Sequence, residues 1–374
     1  MPRIPDLGED GLGVLSPPTP VYFAEQALLG ALLLEPQRLG EVAGIAPDSL
    51  STAAHSALLG AIRAVPAPAP VEHAQNTIWL DKVLTVARKQ TRGLSASYLH
   101  TLIQVCPRPR HAPAYARMIE AEHARRTLRT GAQRLAQSAR DLSLPHPVPA
   151  TLAEADALAT VVDDLAAKFP LHPGPLPRTP PPALTAAHDV GDEAIDEERL
   201  LLATAAAHPG AVEEMRWLTA SDFTRPVHAG LWQCLTSLTR RRAPVDPVTI
   251  LWEAQQRGLP TVGIGPAELL ALLGAPAAGA PRYWGERVLQ RSLLATAHHV
   301  GRRIEAFTDD PATTPYQLVV GSRRALADLS AVRARWQHAT SPDPTSRPAR
   351  TKATAAPRAG PPRTTAPSAA RISR

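Results

Sequence analysis

The chain has 374 residues, enough for two domains of ordinary size that each bury a core. Aromatic residues make up only 4% of it, so the core falls to Leu, Val, Ile and Ala, a composition that suits helices. Its two cysteines exclude a disulfide framework and a zinc-ligand spacing, and no run approaches the roughly 20 apolar residues of a membrane span. With no apolar stretch of signal-peptide length near Met1, a soluble protein of a reducing cytoplasm is expected.

Residues 1–20 are expected to be a flexible segment. From Val21 the pattern is helical: Ala27, Leu28, Ala31, Leu32 and Leu34 form one apolar stripe that Pro36 closes, and Leu39, Val42 and Ile45 begin the next. The helix that starts near Pro113 places Leu128, Ala132, Leu135, Ala139 and Leu142 four and three residues apart, a narrow seam fit for one partner helix. After the breaker SLPHPVP the partner follows, with Leu152, Ala155, Ala159, Val162, Ala166 and Phe169 at the same rhythm, so an antiparallel hairpin is expected. Pro170 to Pro182 then holds seven prolines in thirteen residues and reads as a stiff spacer within a linker over 170–192. Asp222 is placed to cap the helix holding Trp232 and Leu235. A second hairpin follows, its first arm lined by Leu289, Leu293, Ala297, Val300, Ile304 and Phe307, its return by Leu318, Ser322, Ala325, Leu329, Val332 and Trp336. The expected hairpin interface is therefore Leu128, Leu135, Leu142 and Val162 in the first unit, with Leu289, Val300, Ile304, Leu329 and Trp336 in the second.

These two units are copies of each other. Phe23 to Ile62 returns as Asp196 to Leu235 without a gap: Glu25 matches Glu198, Pro36 matches Pro209, Glu41 matches Glu214, His55 matches His228, and the apolar register runs in parallel. The fold expected is all-α, with two tandem domains over 21–169 and 193–338, each a small helical head followed by a hairpin. In motif content and order the second copy, with SDFTRPVHAGLWQCL, APVDPVTILWEAQQRGL and APRYWGERVLQRSLL, resembles the N-terminal domain of DnaB-type bacterial replicative helicases. The first keeps the opening helix FAEQALLGALLLEP but has LSTAAH where the second has FTRPVH, and its middle from Pro70 to Leu102 is stretched, so it reads as a degenerate member.

The helicases of that family carry an ATPase domain, whose phosphate loop needs a lysine after a Gly-rich turn. None of Lys82, Lys89, Lys168 and Lys352 follows a glycine or precedes Ser or Thr, so no such loop is present and no cofactor is expected. Other candidates for chemistry fail on geometry. His298 and His299 are adjacent and diverge by about 100° on a helix, Glu197 and Glu198 likewise, and the turn from Gly258 to Pro266 has no basic residue to hold a phosphate. His55 and His228 recur at equivalent places, yet show no companion Ser, Cys or clustered carboxylate, and read as packing or capping residues. No catalytic, cofactor or metal residue is assigned.

Charge offers a further reading. The net excess of +6 lies wholly in the tail over 339–374, where Arg347, Arg350 and Lys352 are among seven basic residues against Asp343; this Pro/Thr/Ala-rich stretch is expected to be disordered. Arg125, Arg126, Arg129 and Arg134 line one helix of the first unit, while Glu193 to Asp222 is acidic. These basic residues are candidate nucleic-acid contacts, or one of two complementary faces that dock the repeats. The resemblance implies a non-catalytic, replication-associated adaptor that binds a helicase, a primase or its own kind through its hairpins. The alternatives are a nucleic-acid-binding protein and the non-motor half of a split replicative helicase.

Overall fold

The computed structural model describes residues 19–141, 143–169, 191–259 and 265–341. The Pro-rich spacer, the tail with Arg347, Arg350 and Lys352, nearly all of the N-terminal segment and the seam residue Leu142 lie outside the described residues. Within them the first repeat comprises α1 (Pro20–Leu34), α2 (Ala53–Ala64), α3 (Pro70–Gln75), α4 (Ile78–Arg88), α5 (Ala96–Val105), α6 (Ala112–Ser138) and α7 (Pro147–Lys168). The second comprises α8 (Asp192–Ala207), α9 (Pro209–Glu214), α10 (Pro226–Arg240), α11 (Pro247–Gln256), α12 (Pro266–Leu273), α13 (Pro281–Asp309) and α14 (Pro315–Thr340). No strand occurs among the described residues, so the chain is all-α.

Forty prolines are unusual in such a fold, and those within its helices mostly begin them. Ten of the fourteen helices carry Pro in their first two positions, namely α1, α3, α6, α7 and α9 to α14. There the missing N–H has no intrahelical partner to lose and the fixed φ is already helical. Side-chain caps start α2 and α5, where Thr52 accepts from the His55 N–H and Ser95 from that of Tyr98, and a cap adds to the proline of α14, where Thr314 accepts from the Gln317 N–H.

The repeats correspond element by element, α1 with α8, α2 with α10, α4 with α11, α5 with α12, α6 with α13 and α7 with α14. Helix α3 has no counterpart and accounts for the stretched middle of repeat 1. In both heads the opening helix is central. Every residue from Ala24 to Leu33 is buried, so the single stripe expected for α1 is corrected: Leu33 is fully covered, while Leu34 lies at the exposed end. Neighbours on all sides, α2, α5 and α6, remove the solvent face that would have given a period.

Helices α6, α7, α13 and α14 form one four-helix bundle in which hairpin packs on hairpin. Its core joins Leu128, Ala132, Leu135, Leu158, Val162 and Leu165 from repeat 1 to Leu289, Leu293, Val300, Ile304 and Leu329 from repeat 2, with Trp336 partly buried against them. The head of repeat 1 has its own core, which reaches into α6 only as far as Ile119. One continuous helix thus passes from the first core into the second.

The buried positions of α6, Ala112, Ala116, Ile119, Ala124, Leu128, Gly131, Ala132, Leu135 and Ala136, recur at one constant offset in α13 as Pro281, Gly285, Val288, Leu293, Ala297, Val300, Gly301, Ile304 and Glu305. Ala132 and Gly301 are therefore counterparts, and they meet. A Cβ on Gly301 would lie 2.6 Å from the Ala132 carbonyl oxygen and 2.9 Å from Ala136 Cβ. Counterparts in contact mark a two-fold relation between the hairpins, so α6 and α13 cross antiparallel at their closest point.

Each head is fixed internally by a buried carboxylate and histidine. In repeat 1, Glu25 accepts from the Ser51 N–H at 2.6 Å and hydroxyl at 2.9 Å, and lies 2.6 Å from His55 Nδ1. In repeat 2, Glu198 accepts from the Thr224 N–H at 2.6 Å and hydroxyl at 2.7 Å, and lies 2.6 Å from His228 Nδ1. This corrects the reading of both histidines as lacking a companion. The Tyr98 hydroxyl stands 2.7 Å from His55 Nε2, and burial first, then Tyr22 beside it, pushes the phenol well above its ordinary range. Asp222 is also corrected: it closes a 3-10 turn, Ala220–Asp222, accepting from the Thr219 N–H, from Ser292 at 2.6 Å and from Arg335, while α10 begins after Arg225 without a side-chain cap.

Two outcomes follow for stability. Leu135→Asp places a carboxylate at a fully covered position of the bundle and is expected to cost about 3 kcal/mol or more, read as a loss of melting temperature. For Glu198, burial alone would raise the pKa, but the bonds from His228 and Thr224 outweigh it and hold the carboxyl below its ordinary 4.5. A depressed value means this contribution is complete above the ordinary value and is lost as acid takes the pH down through the folded one. Denaturation from pH 7 to pH 3 is expected to show a shallower acid limb in Glu198→Gln than in the parent.

Candidate interaction surfaces

Of the expected hairpin residues that are described, Leu128, Leu135, Val300 and Ile304 are all but fully covered along α6 and α13, Val162 and Leu329 occupy the return arms, Leu289 is covered nearer the start of α13, and Trp336 is partly buried against the same core. The hairpins of this chain are thus occupied by each other.

The arginine row on α6 divides. Arg125 donates from both terminal nitrogens to four carbonyl oxygens, of Thr308, Asp310, Pro311 and Thr313, at 2.6 to 3.3 Å. These lie at the C-terminal end of α13 and in the turn before α14, where a helix leaves carbonyls unpaired and favours a cation. Arg129 pairs with Asp309 at 3.0 Å. Arg126 reaches back to the Ser49 carbonyl at 2.6 Å and ties the first head to α6, and Arg134 pairs with Glu154 of its own hairpin at 3.2 Å. Arg125 and Arg129 accordingly dock the repeats. Their acceptors are not the acidic stretch from Glu193 to Asp222; there Glu197 is taken by Arg287 at 2.8 Å and by Arg291, both of α13.

The outer surfaces of the heads differ. By the repeat correspondence, Met118 stands at the place of Arg287 and Ala24 at that of Glu197, so the charged pair of repeat 2 is replaced by apolar groups in repeat 1. Met118 is 57% exposed and Phe23, next to Ala24 in sequence, 56%. In repeat 2, Val248 and Trp252 lie one turn apart on α11, 66% and 62% exposed. The inserted α3 adds one wall to a cleft of about 720 Å³ lined by Leu34, Leu80, Ile103 and His73. Exposed aromatic and branched side chains in groups mark association surfaces more than solvated ones. None of these features was legible from periodicity, which reports buried faces; the exposed apolar side chains had no signal beyond their being out of phase.

Chemistry finds no foothold at the two histidines. Both Glu–His pairs are covered, and Ser51 and Thr224 bond the carboxylate and not the ring, so neither is an activated nucleophile. Burial pushes the Cys234 thiol up to about 11, against a lowering by Arg257, so it carries little thiolate. Among the described residues no group of three His, Cys, Asp or Glu side chains could hold a metal, and no helix is long and apolar enough to cross a membrane.

A search of curated proteins and one of solved structures return no match to the chain. A family model does match, that of the DnaB-like helicase N terminal domain, over residues 18–121 and again over 191–283. The two segments take in each head, with the first ten residues of α6 and the first three of α13, and together they make up more than half of the sequence. The chain belongs to the DnaB-like helicase N-terminal domain family and carries that domain in tandem.

Proposed function

We propose that this protein is a non-catalytic adaptor of DNA replication that presents two DnaB-like N-terminal domains already paired, and that its heads engage a replicative helicase or primase. The observation that carries this reading is the bundle of α6, α7, α13 and α14: a pairing that separate chains would have to make is made within one chain. Because the hairpins are consumed internally, contact with a partner falls to the head surfaces. Joining two domains in one chain raises their effective concentration to the millimolar scale, so the pair persists at dilutions where a weak dimer would separate.

The sequence supports the adaptor reading over a motor one, since no lysine stands in a phosphate loop. The commitment of Arg125 to repeat 2 supports it over a nucleic-acid-binding one.

Purified chain is expected to turn over no ATP and to retain a bacterial replicative helicase or primase in a pull-down. Trp252→Ala together with Phe23→Ala is expected to weaken that capture about tenfold or more with the melting temperature unchanged, as loss of exposed aromatic anchors does. If neither protein is retained while duplex DNA is, with affinity falling steeply between 50 and 200 mM salt, the adaptor reading gives way to the nucleic-acid one.

A further inference from the structure

The two-fold relation between the hairpins allows a test that a single interface does not: each contact can be compared with the contact its counterparts would make. On the inner helices, Gln133 donates to Glu305 at 2.9 Å, Arg129 pairs with Asp309, and Arg125 holds the turn after α13. The counterparts of Arg125, Arg129 and Gln133 are Leu294, His298 and Arg302, while those of Glu305 and Asp309 are Ala136 and Arg140. The donors Arg125, Arg129 and Gln133 thus sit on α6 at every fourth residue, with their acceptors on α13 and its turn, while His298 donates in the other sense, to the Ala136 carbonyl at 3.2 Å. If repeat 1 met repeat 1, Arg129 would face Arg140 and Gln133 would face Ala136. An Ala132 methyl would also fall where Gly301 has none, in overlap with the opposing Ala132 carbonyl.

On the outer helices the signs are reversed. Arg323 pairs with Asp163 at 2.7 Å and Arg333 with Asp156, so α14 is the basic member and α7 the acidic one. Thr151, Ala155, Leu158, Val162 and Leu165 of α7 have the spacing of Leu318, Ser322, Ala325, Leu329 and Val332 of α14, which makes Asp156 the counterpart of Arg323. Pairing repeat 1 with itself would set Asp156 against Asp163, and pairing repeat 2 with itself would set Arg323 against Arg333.

We propose that the hairpin interface is heterotypic by construction: the hairpin of repeat 1 is a dedicated partner for one of repeat-2 type, and the chain closes on itself in preference to forming 1–1 or 2–2 pairs between copies. The outer ion pairs are exposed, and such pairs each add at most about 1 kcal/mol, so affinity is not their main effect. Their effect is exclusion. Like charges on the outer helices penalise both wrong pairings, Asp156 against Asp163 in one and Arg323 against Arg333 in the other; the methyl with no room adds to the cost of the 1–1 pair alone, while a 2–2 pair, which would set Arg302 against Glu305 on the inner helices, is excluded by its outer arginines. This holds whatever the heads bind.

The test uses the full chain with a specific protease site introduced between residues 171 and 190. After cleavage and equilibration, native mass spectrometry is expected to find one repeat-1 fragment with one repeat-2 fragment. Homotypic pairs in statistical proportion, or two separated fragments, would overturn the proposal. A charge exchange tests the code itself. R323D with R333D is expected to speed separation of the cut halves about tenfold, adding D156R and D163R to restore the parental rate, and the D156R, D163R pair alone to behave like the first variant. In the uncut chain the same four proteins are expected to order identically by melting temperature. If the combined variant is no better than either half, or if all four melt alike, charge does not select the partner.

Discussion

The close crossing of α6 and α13 is the contact on which the rest of the molecule depends. Small residues at the axis, Ala132 and Gly301, let the two backbones approach until a Cβ has no space, and this approach lets Leu128, Leu135, Leu293 and Ile304 on either side share one core. A bundle helix is marginal alone, because two helices bury little surface for each residue they order. With four, the seam of each hairpin is closed from both sides. Since α6 continues unbroken into the core of the first head at Ala112, Ala116 and Ile119, the crossing also sets where that head sits. Arg126, bonded to the Ser49 carbonyl, holds the head to the same helix. A change at Gly301 would therefore be felt at three places at once.

Much of this architecture was legible in the sequence because it is carried by apolar spacing. The seam of hairpin 2 was legible residue by residue, since each helix of the bundle keeps one face to solvent and so leaves a clear four-and-three rhythm. Helix α1 defeated the same reasoning. It is enclosed on all sides, so Leu33 and Leu34 could not be ranked by period, and Asp222 was misplaced because a short 3-10 turn intervenes before α10. The Glu–His pairs leave no local motif: Glu25 and His55 lie thirty residues apart and recur as Glu198 and His228 at the same interval. Two identities that keep their interval in an otherwise diverged repeat are a sign of contact. The docking role of Arg125 had no such sign, because its acceptors are backbone carbonyls and any residue supplies those.

What the repeats have kept and what they have changed follows from magnitudes. Glu25 and Glu198 are covered almost completely, and removing one partner of a buried, hydrogen-bonded charge typically costs 3–5 kcal/mol, a large part of the stability of a small domain. Loss of either the carboxylate or the histidine would leave the other buried without its partner, so single changes are costly, and the pair with its hydroxyl donor is present in both heads. The exposed ion pairs between α7 and α14 face no such constraint: each is worth about 1 kcal/mol or less and either partner can change first, and this latitude lets the two helices take opposite signs.

Tandem linkage gives that latitude a direction. In a homodimer of identical chains one surface must serve both sides of the two-fold axis, so a donor stripe such as Arg125, Arg129 and Gln133 would have to face its own copy. Once the two domains are covalently joined, the surfaces on either side are free to differ, and each can be shaped to the other alone. Asymmetry gained at the hairpins also separates the heads: the exposed Phe23 and Met118 on one, and Val248 and Trp252 on the other, present different chemistry on a common scaffold. A partner with two unlike sites would then meet the molecule in one orientation, which a symmetric dimer cannot impose.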